Sequence, residues 1–142
     1  MQDLYQALYH SKALLPNTVD SHNDILRASQ INNSRDNITG FLHREDGYFL
    51  QFLEGPKTKL FATLQRIGHD PRHCDFVIKH FGPAERRMLP DWDMGYAGTD
   101  QLSLRELLDT SGNKLEFRAL DPFDLVVFIV HNAQALRTRL SR

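Results

Sequence analysis

Apolar and polar positions along the 142-residue chain fall into two alternating kinds of period. Leu4 to Tyr9, Ile38 to His43, Tyr48 to Glu54 and Phe76 to Phe81 are short runs rich in aliphatic and aromatic residues, and they predict strands. Glu45-Asp46-Gly47 lies between the second and third of them, and Asp-Gly between two strand patterns is a strong hairpin signal. Helical spacing appears elsewhere. Ser21 to Asp24 has the pattern of a capping box, and Ile25, Ser29 and Asn32 follow at i, i+4 and i+7, which predicts a helix from about His22 to Asn32. Gly55-Pro56 stops the third strand and places Pro56 at the first position of a second helix, whose face carries Leu60, Leu64 and Ile67. Gly68 and Pro71 end it. Met94 to Ala97 reads as a short fifth strand.

The resulting order is β-α-β-β-α-β followed by one more strand. That is the pattern of an α+β ferredoxin-like βαββαββ sandwich, with two helices on one face of a five-stranded mixed sheet. Beyond Gly98 the composition shifts. Leu102 to Leu108 suggests a short helix, Ser111-Gly112-Asn113 a turn, and Asp121-Pro122 the N-cap and first residue of a last helix running to about Leu140. The middle of that helix, Leu125 to Val130, is apolar nearly all round and needs a surface to cover it. The open face of the sheet or a second subunit would serve, and C-terminal helices packed on the far face complete the expected architecture. The division expected is 1–98 as one α+β unit and 99–142 as a helical extension.

Composition narrows the function. Lys and Arg number 17 against 18 Asp and Glu, for a formal charge of −1. This balance argues against nucleic acid as a partner, since a basic stripe is the electrostatic footprint of such binding. The lone Cys74 excludes an intrachain disulfide and a Cys-rich zinc site. No signal-peptide pattern opens the chain, and the longest apolar run, Leu125 to Val130, falls far short of the ~20 residues that span a bilayer. A soluble cytoplasmic protein is expected, with no membrane partner.

Three places break the folding pattern. Gln51 sits in Tyr48-Phe49-Leu50-Gln51-Phe52-Leu53 with Phe49 and Leu53 on its own face. A buried amide there is either a structural glutamine bonded to a loop or a group that addresses a polar ligand. Asn32-Asn33 closes the first predicted helix. The pair is explained either by asparagine's tolerance of the left-handed conformation at helix ends or as two amides that read a heterocycle's edge. Tyr9 ends the first strand and is either a packing residue or a phenol within reach of the buried glutamine. The remaining polar residues offer less. His69 and His73 stand at i, i+4, but Gly68 and Pro71 make a continuous helix a poor expectation there, so a metal pair is not assigned. No His-Glu-x-x-His, Gly-x-Ser-x-Gly or P-loop pattern is present. Arg66 and Asp70 are spaced for an ion pair across a helix end, and Glu85-Arg86-Arg87 reads as a solvated turn.

The stretches LYQALYHS, ILRASQINN, NITGFL, GYFLQFLEGP, LQRIGHDPRH and PDWDMG, in that order, resemble the BLUF family of blue-light photoreceptor domains that bind FAD. The resemblance covers about Leu4 to Gly98. It implies that Tyr9 is the photochemical tyrosine and Gln51 the switching glutamine. Asn32 and Asn33 are the amides that hold the flavin's ring edge, with Ser29 on the same helix face, and Ile25 and Ile67 sandwich the isoalloxazine. Arg66, Asp70 and His73 fall where the family contacts the pyrimidine side and the flavin's tail. Trp92 and Met94 match the mobile pair of the fifth strand that relays the signal. The resemblance further implies electron and proton transfer from Tyr9 to the excited flavin, followed by a rearranged Gln51 hydrogen-bond network and a reversible red shift. Asp93, where relatives often carry Ser, His10 and Phe41 depart from the family pattern.

The implied cofactor is FAD, with FMN or riboflavin as alternatives. The implied partner is a downstream effector protein, with a homodimer as the expected assembly and no enzyme activity in the chain. Competing readings are a flavin-free protein-interaction module, an RRM-like RNA binder and a small acylphosphatase-like enzyme. The last would need an Arg-bearing phosphate loop, and the segment between Tyr9 and Ser21 has neither Arg nor Gly. The RNA reading needs basic neighbours for its aromatics, and Glu54 and a pI near 6.6 oppose it. A flavin-adduct photoreceptor would need a cysteine beside the flavin in a motif that Cys74 does not match.

Overall fold

The computed structural model of the protein describes residues 3–14, 27, 31–45, 47–90, 95–97 and 120–140. Five strands form one sheet: β1 (Leu4–Ala13), β2 (Thr39–Glu45), β3 (Tyr48–Pro56), β4 (His73–Pro83) and β5 (Gly95–Ala97). Their spatial order is β4-β1-β3-β2-β5. The first four pair antiparallel and β5 runs parallel to β2, so the sheet is mixed and the architecture is the α+β ferredoxin-like sandwich. The helices are α1 (helical over 31–36), α2 (Lys57–Gly68) and α3 (Pro122–Leu140).

Several boundaries move for identifiable reasons. β1 continues four residues past Tyr9, because Ser11, Lys12 and Ala13 still find partners on β3 or β4. Likewise β4 begins at His73 rather than Phe76, pairing His73 with Ala13. Pro56 is the N-cap of α2, not its first helical residue; its φ of −59° with ψ of 138° is still extended. The first helix does not stop at Asn32. It runs through residue 36 and closes in a Schellman motif, with Ile38 N–H donating to Asn33 O (2.8 Å) and Asn37 N–H to Ser34 O (3.4 Å). The left-handed residue this requires is Asn37, at φ 58°, so neither Asn32 nor Asn33 supplies it. The expected capping box, Ile25, Ser29, Trp92, Met94 and the helix over 102–108 lie outside the described residues, as does Asp46 of the hairpin. Its neighbour Gly47 has φ 79°, the geometry a tight hairpin turn asks of glycine.

Alternation along the strands splits the core into two layers. Ala7, Tyr9, Leu42, Phe49 and Leu53 face α2 and meet its Leu60 and Leu64. Leu8, Phe41, Leu50 and Phe52 face the other way, against Leu125, Phe128, Ile129 and Ala133 of α3. The far face of the sheet is therefore covered by the last helix. Asp121 caps that helix, its Oδ1 accepting from Phe123 N–H at 2.8 Å. The cover is partial: Val127 is 48% and Phe123 72% exposed, so the apolar helix keeps one side outward. Each large side chain buried in these layers stabilises by about 1.5–3 kcal/mol.

The segment read as a solvated turn is a clamp. Arg87 donates to Thr39 Oγ1 (2.9 Å), Glu54 O (3.1 Å) and Asn37 O (2.7 Å). The fully buried Glu54 accepts from Met88 N–H and Leu89 N–H at 2.6 and 2.7 Å. Burial pushes the Glu54 carboxyl up, opposed by these two backbone hydrogen bonds.

Candidate functional site

Register builds the site. Tyr9 of β1 stands directly opposite Gln51 of β3, and directly opposed residues in an antiparallel pair project to the same face. The Tyr9 hydroxyl donates to Gln51 Oε1, and the two residues are each 4% exposed. Burial first, and the negative Asp70 second, push the Tyr9 phenol well above its ordinary range. It is held as a protonated donor. Phe76 flanks the phenol at a ring distance of 4.8 Å.

These two residues form the floor of a pocket between the sheet and the two helices on this face. Its walls are Asn32 and Asn33 from α1, Thr63, Arg66 and Ile67 from α2, and Asp70, Arg72 and His73 beyond it, with Leu42, Phe49 and Leu53 completing the floor. The pocket holds about 750 Å³ of atom-free space, part of it open to solvent. Apolar side chains and a ring of amides converge on one space, as an aromatic heterocycle with donors and acceptors on its edge requires.

Of the residues singled out from the sequence, Tyr9, Asn32, Asn33, Gln51, Arg66, Ile67, Asp70 and His73 all line this pocket. The expected Arg66–Asp70 pair does not form. Asp70 turns instead to Arg72, accepting at 2.9 Å from its backbone N–H, at 3.0 Å from Nε and at 2.5 Å from Nη2. These side-chain hydrogen bonds hold the Asp70 carboxyl below its ordinary range, against the opposing effect of burial. Arg66 lies 3.4 Å from Thr63 Oγ1 and 4.0 Å from Asp36. The helix ends before Asp70 can stack over Arg66, so the i, i+4 geometry is lost.

His73 is fixed at both ring nitrogens, Nδ1 at 2.7 Å from Ser11 Oγ and Nε2 at 2.5 Å from Ile67 O. The carbonyl can only accept, so Nε2 carries a proton. No group of three or more metal-ligating side chains occurs among the described residues. Sequence reasoning missed Ser11, Thr63 and Arg72. Ser11 was legible by alternation from Tyr9 once the strand was known to continue, whereas the choice of Arg72 over Arg66 needed the turn geometry.

The profile of the BLUF family, sensors of blue-light using FAD, matches residues 4–95. The photoactivated adenylate cyclase subunit beta of Euglena gracilis is 34% identical over 96 residues, which are 67% of this chain and 11% of that protein. Among solved structures, the dark state of BlrB, a BLUF protein, superposes with a TM-score of 0.74 at 30% identity and covers 96% of this chain and 98% of its own. A bacterial light-regulated adenylyl cyclase matches with a TM-score of 0.69 at 30% identity, over 75% of this chain and 33% of that one.

Proposed function

The chain belongs to the BLUF family of blue-light sensors that use FAD, and from that premise we propose how its own residues carry out the sensing. The observation that carries the reading is the buried Tyr9–Gln51 hydrogen bond at the floor of an amide-lined pocket. A flavin bound there would supply blue-light absorption and, in its excited state, a reversible acceptor for one electron and one proton. Tyr9 is the donor of both, its hydroxyl proton retained until then by burial. Gln51 accepts from Tyr9 through Oε1, which turns its Nε2 amino group away as the donor end. Exchange of these two ends, by rotation or tautomerisation, reverses donor and acceptor toward both Tyr9 and the cofactor's edge.

Asn32 and Asn33 hold the ring edge, Ile25 and Ile67 sandwich the ring, and Ser29 adds to the binding set. Arg66, Asp70 and His73 serve the pyrimidine side and the tail. FAD is the proposed flavin, with FMN and riboflavin as alternatives, since all three share the ring that the amide-lined pocket would hold. Residues 1–98 form the photosensor unit and 99–142 an extension that carries the signal to an effector protein. Trp92 and Met94 relay it to the extension, the assembly is a homodimer, and the chain itself catalyses no reaction.

An absorption spectrum before and after a blue-light pulse tests this. The expected result is a flavin spectrum that shifts slightly to the red and relaxes in the dark without bleaching. A colourless protein that takes up no added flavin overturns the reading in favour of a flavin-free interaction module.

A further inference from the structure

The sheet face toward α3 carries buried polar side chains among its apolar ones, including His10 of β1, Glu54 of β3 and His43 and Glu45 of β2, and α3 adds the buried Asn132. His43 and Glu45 project from β2 on the same side as Phe41. They are 1% and 2% exposed, and His43 Nε2 lies 2.9 Å from Glu45 Oε1. The His43 ring meets Phe128 of α3 edge-on, with centroids 4.8 Å apart at 77°. Asn132 is one helical turn beyond Phe128 on the same face of α3 and is 1% exposed. Among the described residues, His43 Nδ1 and both polar atoms of the Asn132 amide have no hydrogen-bond partner. Unpaired polar atoms this deep favour any alternative packing that would pair them.

The position of His43 makes this more than a packing fault. Leu42, its neighbour, is opposite Gln51 in the β2–β3 register, and His43 itself is opposite Leu50. On its other edge His43 is opposite Ala97 of β5. The ladder that carries Gln51 toward the pocket therefore carries His43 toward α3. We propose that His43 and Asn132 are two halves of a latch between β2 and α3, apart in the packing seen here and joined in a second packing that the photochemical state selects. With Nε2–H donated to Glu45, Nδ1 is left as an acceptor and takes a hydrogen bond from Asn132 Nδ2. The two positions of α3 supply the bistable element that coupling between distant sites requires. His43 and Asn132 are positioning residues, and the inference rests on the photosensor reading above.

Hydrogen exchange over 122–140, in the dark and under steady blue light, tests the latch alongside the flavin spectrum of the same full-length samples. The expected result is a red shift together with higher protection of α3 in the light. Asn132→Leu removes the unpaired amide, so it keeps the red shift, raises the dark Tm by about 2–4 °C, and loses most of the light-dependent protection. His43→Phe loses the same protection change and decides the matter alone if Asn132→Leu does not fold. A red shift with no rise in α3 protection overturns the latch but leaves the photosensor reading intact, as does a wild-type rise that persists in both variants. No red shift in the unmodified protein overturns the photosensor reading, and the latch with it.

Discussion

At Tyr9 the proposed photochemistry depends on one proton, kept on the phenol by burial and by the nearby Asp70. Tyr9→Phe keeps the ring that packs on Phe76 and removes only that proton, so flavin binding is expected to persist while the light-induced shift disappears. Absorption before and after a blue pulse reads both properties from one sample. Asn33, 3% exposed on the pocket wall, is proposed for binding instead. Asn33→Ala is expected to weaken flavin affinity about 10- to 100-fold, as loss of a buried hydrogen bond worth ~1–3 kcal/mol implies; a fluorescence titration measures it. Asp70 brings in pH. Its folded-state pKa lies below the ordinary 3.8, so below that value the unfolded chain takes up the proton first and stability falls as the pH falls. The Asp70–Arg72 pair is half-exposed and contributes at most about 1 kcal/mol. Asp70→Asn should flatten the acid limb of urea midpoints measured from pH 5 to pH 3.

Close approach, not side-chain chemistry, governs the elements. A Cβ added to Gly40 would stand 2.4 Å from Phe52 O and 2.8 Å from Leu53 Cδ2, contacts that β2 and β3 could relieve only by moving apart. Gly40→Ala is therefore expected to destabilise by about 1–3 kcal/mol, visible as a lower urea midpoint. At this scale the periodicities were reliable guides to which elements exist and less so to where they end. Nothing in Ser11-Lys12-Ala13 marks a strand by itself; pairing with β3 on one edge and β4 on the other extends it. The helix ahead of β2 likewise continues to residue 36 because Arg87 and the Schellman bonds hold its exit at Asn37.

Across the whole molecule the sheet separates two layers. The Tyr9 face holds the pocket and the Phe41 face holds α3. Phe128→Ala opens a cavity on the second face and is expected to cost about 3–5 kcal/mol of stability while leaving the absorption spectrum of bound flavin in place. Thermal denaturation followed at the flavin band and in the far ultraviolet separates the two effects. The alternation of the strands, the hairpin at Gly47 and the apolar stripe of α2 are local patterns, and local propensity with burial period was sufficient to specify the sandwich. The oddness of Gln51 and of Asn32-Asn33 was also visible locally, because polar groups at core positions violate the period that surrounds them. Partnership was not. Which hydroxyl Gln51 meets, that Arg87 clamps three segments, and that α3 lies over His43 all depend on residues far apart in sequence, and Asp70 bonds Arg72 rather than Arg66 only because of where the helix ends. Strand register and helix exit bring those groups together, and both are set by the packed molecule rather than by any single stretch of chain.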